Sequence, residues 1–252
     1  MTYRPREFWE QLLSEQFDLR GTGETGLSLA YNRACYALRG ETLDRALAVQ
    51  GLDPRGRRVL DVGCGTGFWV ERYLRRGAEV TGIDIAPTAI ARLRDRFPEA
   101  RFMLADVGEA PIEGSYAIVN AFDVLYHITD DARWDRALAH LAAAVEPGGL
   151  LLVTDTFVGA DDEADHNRMR PLAAYRRVLG AAGFTVADLR PTHVLLNRPL
   201  GAFRFLNRAP ALLLAVDRAL LAAGLHGGVA RRTNTLMVAR RSDTGSAPVR
   251  LG

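Results

Sequence analysis

The most constraining feature of the chain is a short β-rich run that leads directly into a glycine loop. Residues 58–62 read Arg-Val-Leu-Asp-Val, and Gly63, Gly65 and Gly67 then follow at alternating positions before a helical pattern begins. Glycine permits a positive φ and lets a ligand approach the backbone without a Cβ clash. The first turn of the following helix offers unpaired N–H groups and the positive end of the helix dipole. The segment therefore predicts a polar-ligand site at the carboxyl edge of a parallel sheet.

Similar β-rich runs alternate with helical patterns along most of the chain. Strands are predicted at 58–62, 79–84, 100–104, 116–121, 150–155, 184–189 and 235–239. Helices are predicted at 7–17, 31–38, 42–49, 68–76, 87–96, 132–145 and 172–182. Strands separated by helical patterns form βαβ units, and a continuous apolar run such as residues 149–154 suits a strand that is covered on both faces. The pattern therefore predicts an α/β protein with a parallel sheet.

The segments outside these units complete the predicted organisation. Residues 1–50 form a predicted N-terminal helical cap, and the α/β domain is predicted to span residues 51–241. Within this domain, residues 157–177 are expected to form a lid above the cleft, and residues 191–232 a helical insertion before the last strand. The polar tail at 242–252 is expected to be flexible.

Positive charge is concentrated in the C-terminal third of the chain. Residues 1–165 contain 18 basic and 27 acidic residues, whereas residues 166–252 contain 14 basic and 3 acidic residues, so that the net charge of +2 conceals a strong asymmetry. Such an asymmetry is typical of a chain that meets an anionic partner, a membrane surface or an acidic ligand.

Composition excludes several classes of function. All 32 basic residues are Arg, which excludes a Schiff-base lysine and the lysine of a phosphate-binding P-loop. The two cysteines and five scattered histidines form no metal-ligand pattern and no disulfide framework, so no metal site is expected. The N-terminal residues contain no apolar run typical of a secretory signal, and the longest apolar stretch, residues 209–224, is too short to cross a bilayer. These features predict a cytoplasmic protein.

A dinucleotide-binding fold is the usual alternative for a glycine-rich turn. Its third glycine would fall one position after Gly67, where this chain has Phe68, and that glycine serves close helix–strand packing that Phe would obstruct. The second predicted strand also ends at Asp84, whose carboxylate can accept hydrogen bonds from both hydroxyls of a ribose. The spacing therefore favours a nucleoside-containing ligand other than a dinucleotide.

Five motifs in this order resemble the class I S-adenosylmethionine-dependent methyltransferases. They are VLDVGCGTG at 59–67, GIDIA at 82–86, LADV at 104–107, NAFDVLYHI at 120–128 and PGGLLLVTD at 147–155. The resemblance covers about residues 55–190. It is specific to the superfamily, in which the small-molecule type is expected, but it does not specify the substrate. It implies a Rossmann-like sheet of seven strands, mostly parallel with the last antiparallel, and helices on both faces. It also implies S-adenosylmethionine as cofactor and S-adenosylhomocysteine as product.

The resemblance also assigns roles to individual residues. It implies that the loop from Asp61 to Gly67 holds the methionine part of the cofactor, that Asp84 binds the ribose and that Asp106 contacts the adenine amino group. The cofactor-binding residues that it implies are Asp61, Gly63, Cys64, Gly65, Gly67, Asp84, Ile85, Asp106, Val107, Ala121 and Phe122.

His127 is the candidate general base, because it follows the fourth strand at the cleft and can titrate near neutral pH. An orienting or purely structural role is the alternative. Tyr126, His166, Arg168 and Tyr31 are candidates for binding the acceptor. For His166 and Arg168 the alternative is a solvated loop, and for Tyr31 it is a packing helix.

The insertion allows several interpretations. In residues 211–221, the apolar positions 212, 213, 216 and 220 fall on one helical face, and Asp217 and Arg218 mark another. The flanking arginines are Arg204, Arg208, Arg231 and Arg232. The helix could be a lid on the acceptor pocket, a dimer surface, an interfacial helix beside lipid, or a helix that simply packs on the domain.

These observations predict a methyltransferase that acts on an O, N or C atom of a small molecule, with an electropositive acceptor side that suits an amphipathic or anionic metabolite. The first alternative is an RNA or protein methyltransferase that uses the basic C-terminal region, although no separate RNA-binding module is evident and a nucleic-acid partner is not expected. The second is a cofactor-binding interaction module without turnover. Contact with lipid or an anionic surface, and a monomer or homodimer, are all compatible with the pattern.

Overall fold

The computed structural model describes residues 3–158, 166–196, 200–225 and 233–243. Seven strands form one sheet in the order β3-β2-β1-β4-β5-β7-β6, and β7 runs antiparallel to its neighbours β5 and β6. The strands are β1 Arg58–Val62, β2 Glu79–Asp84, β3 Arg101–Leu104, β4 Tyr116–Phe122, β5 Val145–Asp155, β6 Phe184–Pro191 and β7 Thr235–Arg241. This topology confirms the predicted fold class.

Helices cover both faces of the sheet. They are α1 Pro5–Glu15, α2 Leu29–Val49, α3 Phe68–Leu74, α4 Pro87–Arg96, α5 Asp131–Ala144, α6 Leu172–Ala181 and α7 Pro210–Ala222. One core cluster joins α2, α3 and α4 to one sheet face, and a second joins α5 and α6 to the other face through Trp134 and Tyr175. The parallel strands β1 and β4 are adjacent at the centre, with Val62 opposite Ala121. The chain leaves these two strands toward opposite sides, and such a switch point leaves a crevice at their carboxyl ends.

Helix α2 is continuous where two helices were expected. Gly40, which falls between the two expected helices, lies in its middle and lets α3 approach closely: a Cβ at this position would lie 2.5 Å from Nη1 of Arg72. Leu43 and Leu47 of α2 share the core cluster of β1 and β7. Residues 29–49 thus pack as a layer against the sheet.

Helix α1 lies outside these two layers. It packs on α4, where Leu13 is buried against Ala86 and Ala89. Of the segment expected to be a cap, α1 is therefore the part that sits on the domain as an added element.

Helix α7 covers α2 from the outside, and its observed orientation corrects one expectation. Asp217 was expected on a face apart from the apolar one, but it is fully buried, and its carboxylate accepts hydrogen bonds from the backbone N–H groups of Val194, Leu195 and Leu196 at 2.7–3.0 Å. These N–H groups belong to the turn after β6 and have no strand to pair with, so the buried carboxylate satisfies all three. Leu212, by contrast, is 54% exposed.

Parts of three other expected segments fall outside the described residues. They are lid residues 159–165, insertion residues 197–199 and 226–232 with Arg231 and Arg232, and tail residues 244–252. In the part of the chain that the structure does describe, no helix has both the length and the apolar character needed to cross a membrane.

Candidate active site

The glycine loop follows β1 and adopts a backbone that requires glycine. Gly63, Gly65 and Gly67 all have positive φ, at 70°, 47° and 83°. A Cβ on Gly63 would lie 2.4 Å from Cγ2 of Val124, and one on Gly65 would lie 2.7 Å from Cγ2 of Thr22. The backbone of the loop is therefore fixed both by its own conformation and by the segments packed against it.

Two carboxylates stand at the ends of the neighbouring strands. Asp84 ends β2, is buried, and accepts hydrogen bonds from the backbone N–H groups of Gly65 at 2.8 Å and Ala86 at 2.9 Å. Burial raises the pKa of its carboxyl above the ordinary value. Asp106, just after β3, accepts from Gly108 N at 2.9 Å and from Nη2 of Arg133 at 2.6 Å. Each carboxylate is thereby held in place at the same edge of the sheet as the loop.

A third carboxylate lies beneath the loop. Asp61 is fully buried in β1 and accepts a hydrogen bond from Nδ2 of Asn120 on β4. No donor among the described residues reaches its second oxygen. Burial raises its pKa to about 8, and the nearby charge of Asp84 acts in the same direction. Asp61 therefore supports the loop from below and does not line the cavity above it.

A cavity of about 810 Å³ opens above these strand ends. One half of it, called the first half below, is lined by the glycine loop and the carboxylates of Asp84 and Asp106. A nucleoside presents ribose hydroxyls and an adenine amino group, which are hydrogen-bond donors, and carboxylates are the acceptors that match them. The residues present thus fit the adenosine part of S-adenosylmethionine.

The second half of the cavity contains a buried ion pair. Arg39 of α2 donates through Nη1 to Asp123, which follows β4, and the side chains are 9% and 16% exposed. Asp123 has a φ of 59° and also accepts from Oγ1 of Thr154 at 3.0 Å and from Nδ2 of Asn234. Among the described residues, Nε of Arg39 and Oδ1 of Asn234 have no partner. The guanidinium charge is therefore balanced inside the cavity wall.

His127 lies at the cavity in the 3₁₀ turn Leu125–His127. Its Nδ1 is 3.1 Å from the backbone oxygen of His166, and since a carbonyl oxygen can only accept, Nδ1 carries the proton. Nε2 is the unprotonated nitrogen, and the side chain of Asn167 lies beside the ring. Burial lowers the pKa of the ring to about 4, so that the imidazole is neutral at physiological pH. The rings of Tyr126 and Trp9 pack against it, with centroid distances of 4.4 and 4.8 Å. His127 therefore has the protonation state and tautomer of a hydrogen-bond acceptor or base.

The structure brings most of the expected site residues to this cavity. Those along its wall are Gly63, Cys64, Gly65, Asp84, Ile85, Asp106, Val107, Phe122, Tyr126, His127 and His166. Gly67 and Ala121 lie behind it, the first as the N-terminal cap of α3 and the second fully buried in β4.

Two expected acceptor residues lie away from the cavity wall. Tyr31 is fully buried between α2 and α7, in the cluster that contains Leu196 and Leu213. Arg168 pairs with Asp131 at 2.7 Å. Tyr31 and Tyr36 both belong to α2, but only Tyr36 reaches the cavity, because the two side chains leave the helix on different sides.

Several cavity residues were not identified from the sequence. Thr22 and Glu24 come from the loop before α2, Trp9 from α1 and Asn234 from the start of β7. The glycine and threonine cluster at 20–26 is the one local signal that could have indicated the loop. Asp123 lies inside the NAFDVLYHI motif and could have been included with its neighbours, whereas Asn234 has no local signal at all.

Comparison with known proteins agrees with this geometry. A methyltransferase domain model matches residues 59–149. The ubiquinone biosynthesis O-methyltransferase of Aeromonas salmonicida is 32% identical over 162 residues, which cover 55% of this chain and 67% of that protein. The trans-aconitate 2-methyltransferase of Delftia acidovorans is 32% identical over 54% of this chain and 52% of its own length, so that the chain spans only about half of that relative.

A solved structure extends the comparison to the whole fold. The magnesium protoporphyrin IX methyltransferase of Synechocystis with bound S-adenosylmethionine has a TM-score of 0.56 and 19% identity, and 84% of each chain is covered. At this identity the likeness concerns the fold. Together with the matching domain model and the relative at 32% identity, it shows that the chain belongs to the class I S-adenosylmethionine-dependent methyltransferases.

Proposed function

We propose that this chain transfers the methyl group of S-adenosylmethionine to an oxygen atom of a small molecule that has an apolar body and a polar group. The observation that carries this proposal is the continuity of the cavity of about 810 Å³. It extends from the glycine loop and Asp84 to His127 and the Arg39–Asp123 pair. Ligand cavities range over about 300–1,000 Å³, so this one is large enough to suggest a second ligand beside the cofactor.

The lining of the second half supports the choice of acceptor. Trp9, Trp69, Phe122 and Tyr126 provide aromatic surface, while Arg39 is already paired with Asp123. A balanced ion pair offers hydrogen-bonding groups without a net positive charge, so it suits a hydroxyl or an ester-forming carboxyl group on an apolar body. Of the two relatives reported above, one is named as an O-methyltransferase of ubiquinone biosynthesis and the other as a methyltransferase of trans-aconitate. Both names indicate small-molecule acceptors.

His127 is the base in this proposal. The cofactor, when bound, supplies a methyl group activated by a positively charged sulfur. An acceptor hydroxyl must lose its proton as its oxygen takes the methyl group, and Nε2 of His127 is the lone pair at the cavity that can take it. A carboxylate acceptor would need no base. Turnover should therefore depend on His127 for a hydroxyl acceptor and not for a carboxylate acceptor.

Calorimetry and mass spectrometry test the proposal together. S-adenosylhomocysteine is expected to bind, and Asp84→Ala is expected to weaken it by about tenfold to a hundredfold, because charge-assisted hydrogen bonds to the ribose are lost. Asp95→Ala, an exposed acid on α4, is the matched control and should bind as wild type. A panel of small phenols, hydroxy acids and carboxylic acids is then screened for a product heavier by one methyl group in place of hydrogen.

The salt dependence of turnover separates this proposal from an RNA methyltransferase. Turnover of a small acceptor should change little between about 50 and 200 mM salt, whereas an enzyme that grips phosphates loses affinity steeply over that range. Turnover of RNA alone, or undiminished cofactor binding in Asp84→Ala, would contradict the proposal. Binding of S-adenosylhomocysteine without methylation of any panel member would favour a module without turnover.

A further inference from the structure

Exposed apolar side chains are concentrated in one short segment of the molecule. Of the eight large hydrophobic side chains that are exposed among the described residues, four lie within residues 200–225. Phe203 is 63% exposed, Phe205 59%, Leu212 54% and Leu225 63%. Exposed apolar side chains that lie together, as Phe203 and Phe205 do, commonly mark an interaction surface.

The segment is well packed on its inner side, so its exposure is not a result of loose contact. Leu213 is buried against Tyr31 and Leu38 of α2, and Leu206 joins the same cluster from the 3₁₀ helix Gly201–Arg208. Asp217 holds the preceding turn through its three hydrogen bonds. Phe203 and Phe205, with ring centroids 6.3 Å apart, project from a fixed base.

The arginines next to the two rings form no ion pair within the part of the chain that the structure describes. Arg204 and Arg208 are exposed, and neither makes an ion pair with a described residue. The single acid of residues 200–225 is the buried Asp217, and Arg218 is engaged with Glu41 of α2. The surface therefore combines exposed aromatic rings and free guanidinium groups with no exposed carboxylate.

We propose that residues 201–225 dock the protein on a bilayer that contains anionic phospholipid. Phe203 and Phe205 enter the boundary between headgroups and acyl chains, and Arg204 and Arg208 contact lipid phosphates. A second copy of the chain is a poorer occupant, because a symmetric contact through this surface would bring like charges together.

The docking surface is separate from the cofactor cavity. Helix α2 lies between them, with Leu38 on the side of the docking surface and Arg39 on the side of the cavity. Changes at Phe203 or Arg204 should therefore leave the binding of S-adenosylhomocysteine unchanged, and this proposal does not depend on which acceptor is methylated.

Co-sedimentation of the full chain with vesicles tests the proposal. Binding is expected to vesicles of phosphatidylcholine with phosphatidylglycerol, and to be much weaker to phosphatidylcholine alone. Phe203→Ser/Phe205→Ser and, separately, Arg204→Gln/Arg208→Gln should each reduce binding to the anionic vesicles by about tenfold or more. Val49→Ser/Leu104→Ser, which removes exposed apolar side chains elsewhere, is the matched control and should bind as wild type.

Two further measurements make the outcome decisive. Equal affinity of all variants for S-adenosylhomocysteine establishes that they are folded. Absence of wild-type binding to anionic vesicles, or equal loss in the control, overturns the proposal. So does a homodimer in analytical ultracentrifugation that Phe203→Ser/Phe205→Ser dissociates without any change in vesicle binding, because the surface would then be an interface between copies.

Discussion

The two halves of the cavity are built in different ways. In the half that fits adenosine, Gly63 and Gly65 follow β1, Asp84 ends β2 and Asp106 follows β3. In the other half, Trp9 comes from α1, Arg39 from α2, His127 from the turn after β4 and Asn234 from the start of β7.

The difference lies in what holds each half together. Parallel strands place their carboxyl ends at one edge, so the register of β1 with β2 alone brings Gly63 near Asp84. The second half depends on long-range side-chain contacts, such as those that link Asp123 to Arg39 and to Asn234, 84 and 111 residues away in sequence. The first half is therefore a property of the fold, and the second is a property of this particular chain.

Replacing His127 should separate the two halves most strongly. For a hydroxyl acceptor, His127→Gln is expected to lower kcat about 100- to 10,000-fold, because it removes the base, while the affinity for S-adenosylhomocysteine stays within a few fold of wild type. The measurements are steady-state kinetics and calorimetry. Since burial lowers the pKa of His127 to about 4, wild-type activity should be flat near neutral pH and fall only in acid.

His140→Gln provides the matched control for this variant. His140 also places Nδ1 near a backbone oxygen, that of Val107 at 2.8 Å, but its ring is not part of the cavity wall. Its kcat should remain near that of wild type. If both variants lost the same activity, His127 would have only a structural role, and if neither did, the acceptor oxygen would be one that carries no proton.

The ion pair of the second half should matter for stability. Asp123→Asn keeps a residue that tolerates the φ of 59° but leaves Arg39 without its counter-charge in a buried site. Breaking a buried pair costs about 3 kcal/mol. Urea denaturation should therefore show a clear loss in the free energy of unfolding.

An exposed ion pair provides the control for the Asp123 variant. Arg177 and Asp135 are 62% and 41% exposed, so Asp135→Asn should cost less than about 1 kcal/mol. Similar losses in the two variants would mean that the second half of the cavity is not held by its ion pair.

The fold was largely predictable because local patterns determine its elements. β1, β2 and α4 begin and end where the sequence pattern places them. The error at α2 arose because Gly40 normally weakens a helix, whereas here it admits the guanidinium of Arg72. β5 begins at Val145, where the end of a helix was expected, and the Pro-Gly-Gly segment belongs to the strand, with a register shift against β4.

The site residues that belong to local motifs were predictable, and those held by contacts distant in sequence were not. Gly63, Asp84 and His127 stand in motifs that follow strands, and the structure places all of them at the cavity. Asn234 could not be found, because its partner Asp123 is distant in sequence. The burial of Asp217 could not be predicted, because a carboxylate on an amphipathic helix normally faces water and the three N–H groups that retain it are evident only in the folded chain.

The two halves of the cavity should also differ in how the stability contributed by a buried group changes with pH. Asp61, beneath the glycine loop, has a pKa of about 8 when folded against 3.8 in the unfolded chain, so the folded state binds more protons and loses stability as pH rises across that interval. His127 has a folded pKa of about 4 against 6.5, so its contribution is lost as pH falls through that interval. Asp61→Asn should therefore gain stability relative to wild type by about 2.5 kcal/mol between pH 5.5 and 7.5 in urea denaturation. Asp95→Asn, at an exposed position, should have the same free energy of unfolding as wild type at every pH. If the free energies of unfolding of Asp61→Asn and wild type changed with pH in parallel, Asp61 would already be ionised in the folded protein at pH 5.5.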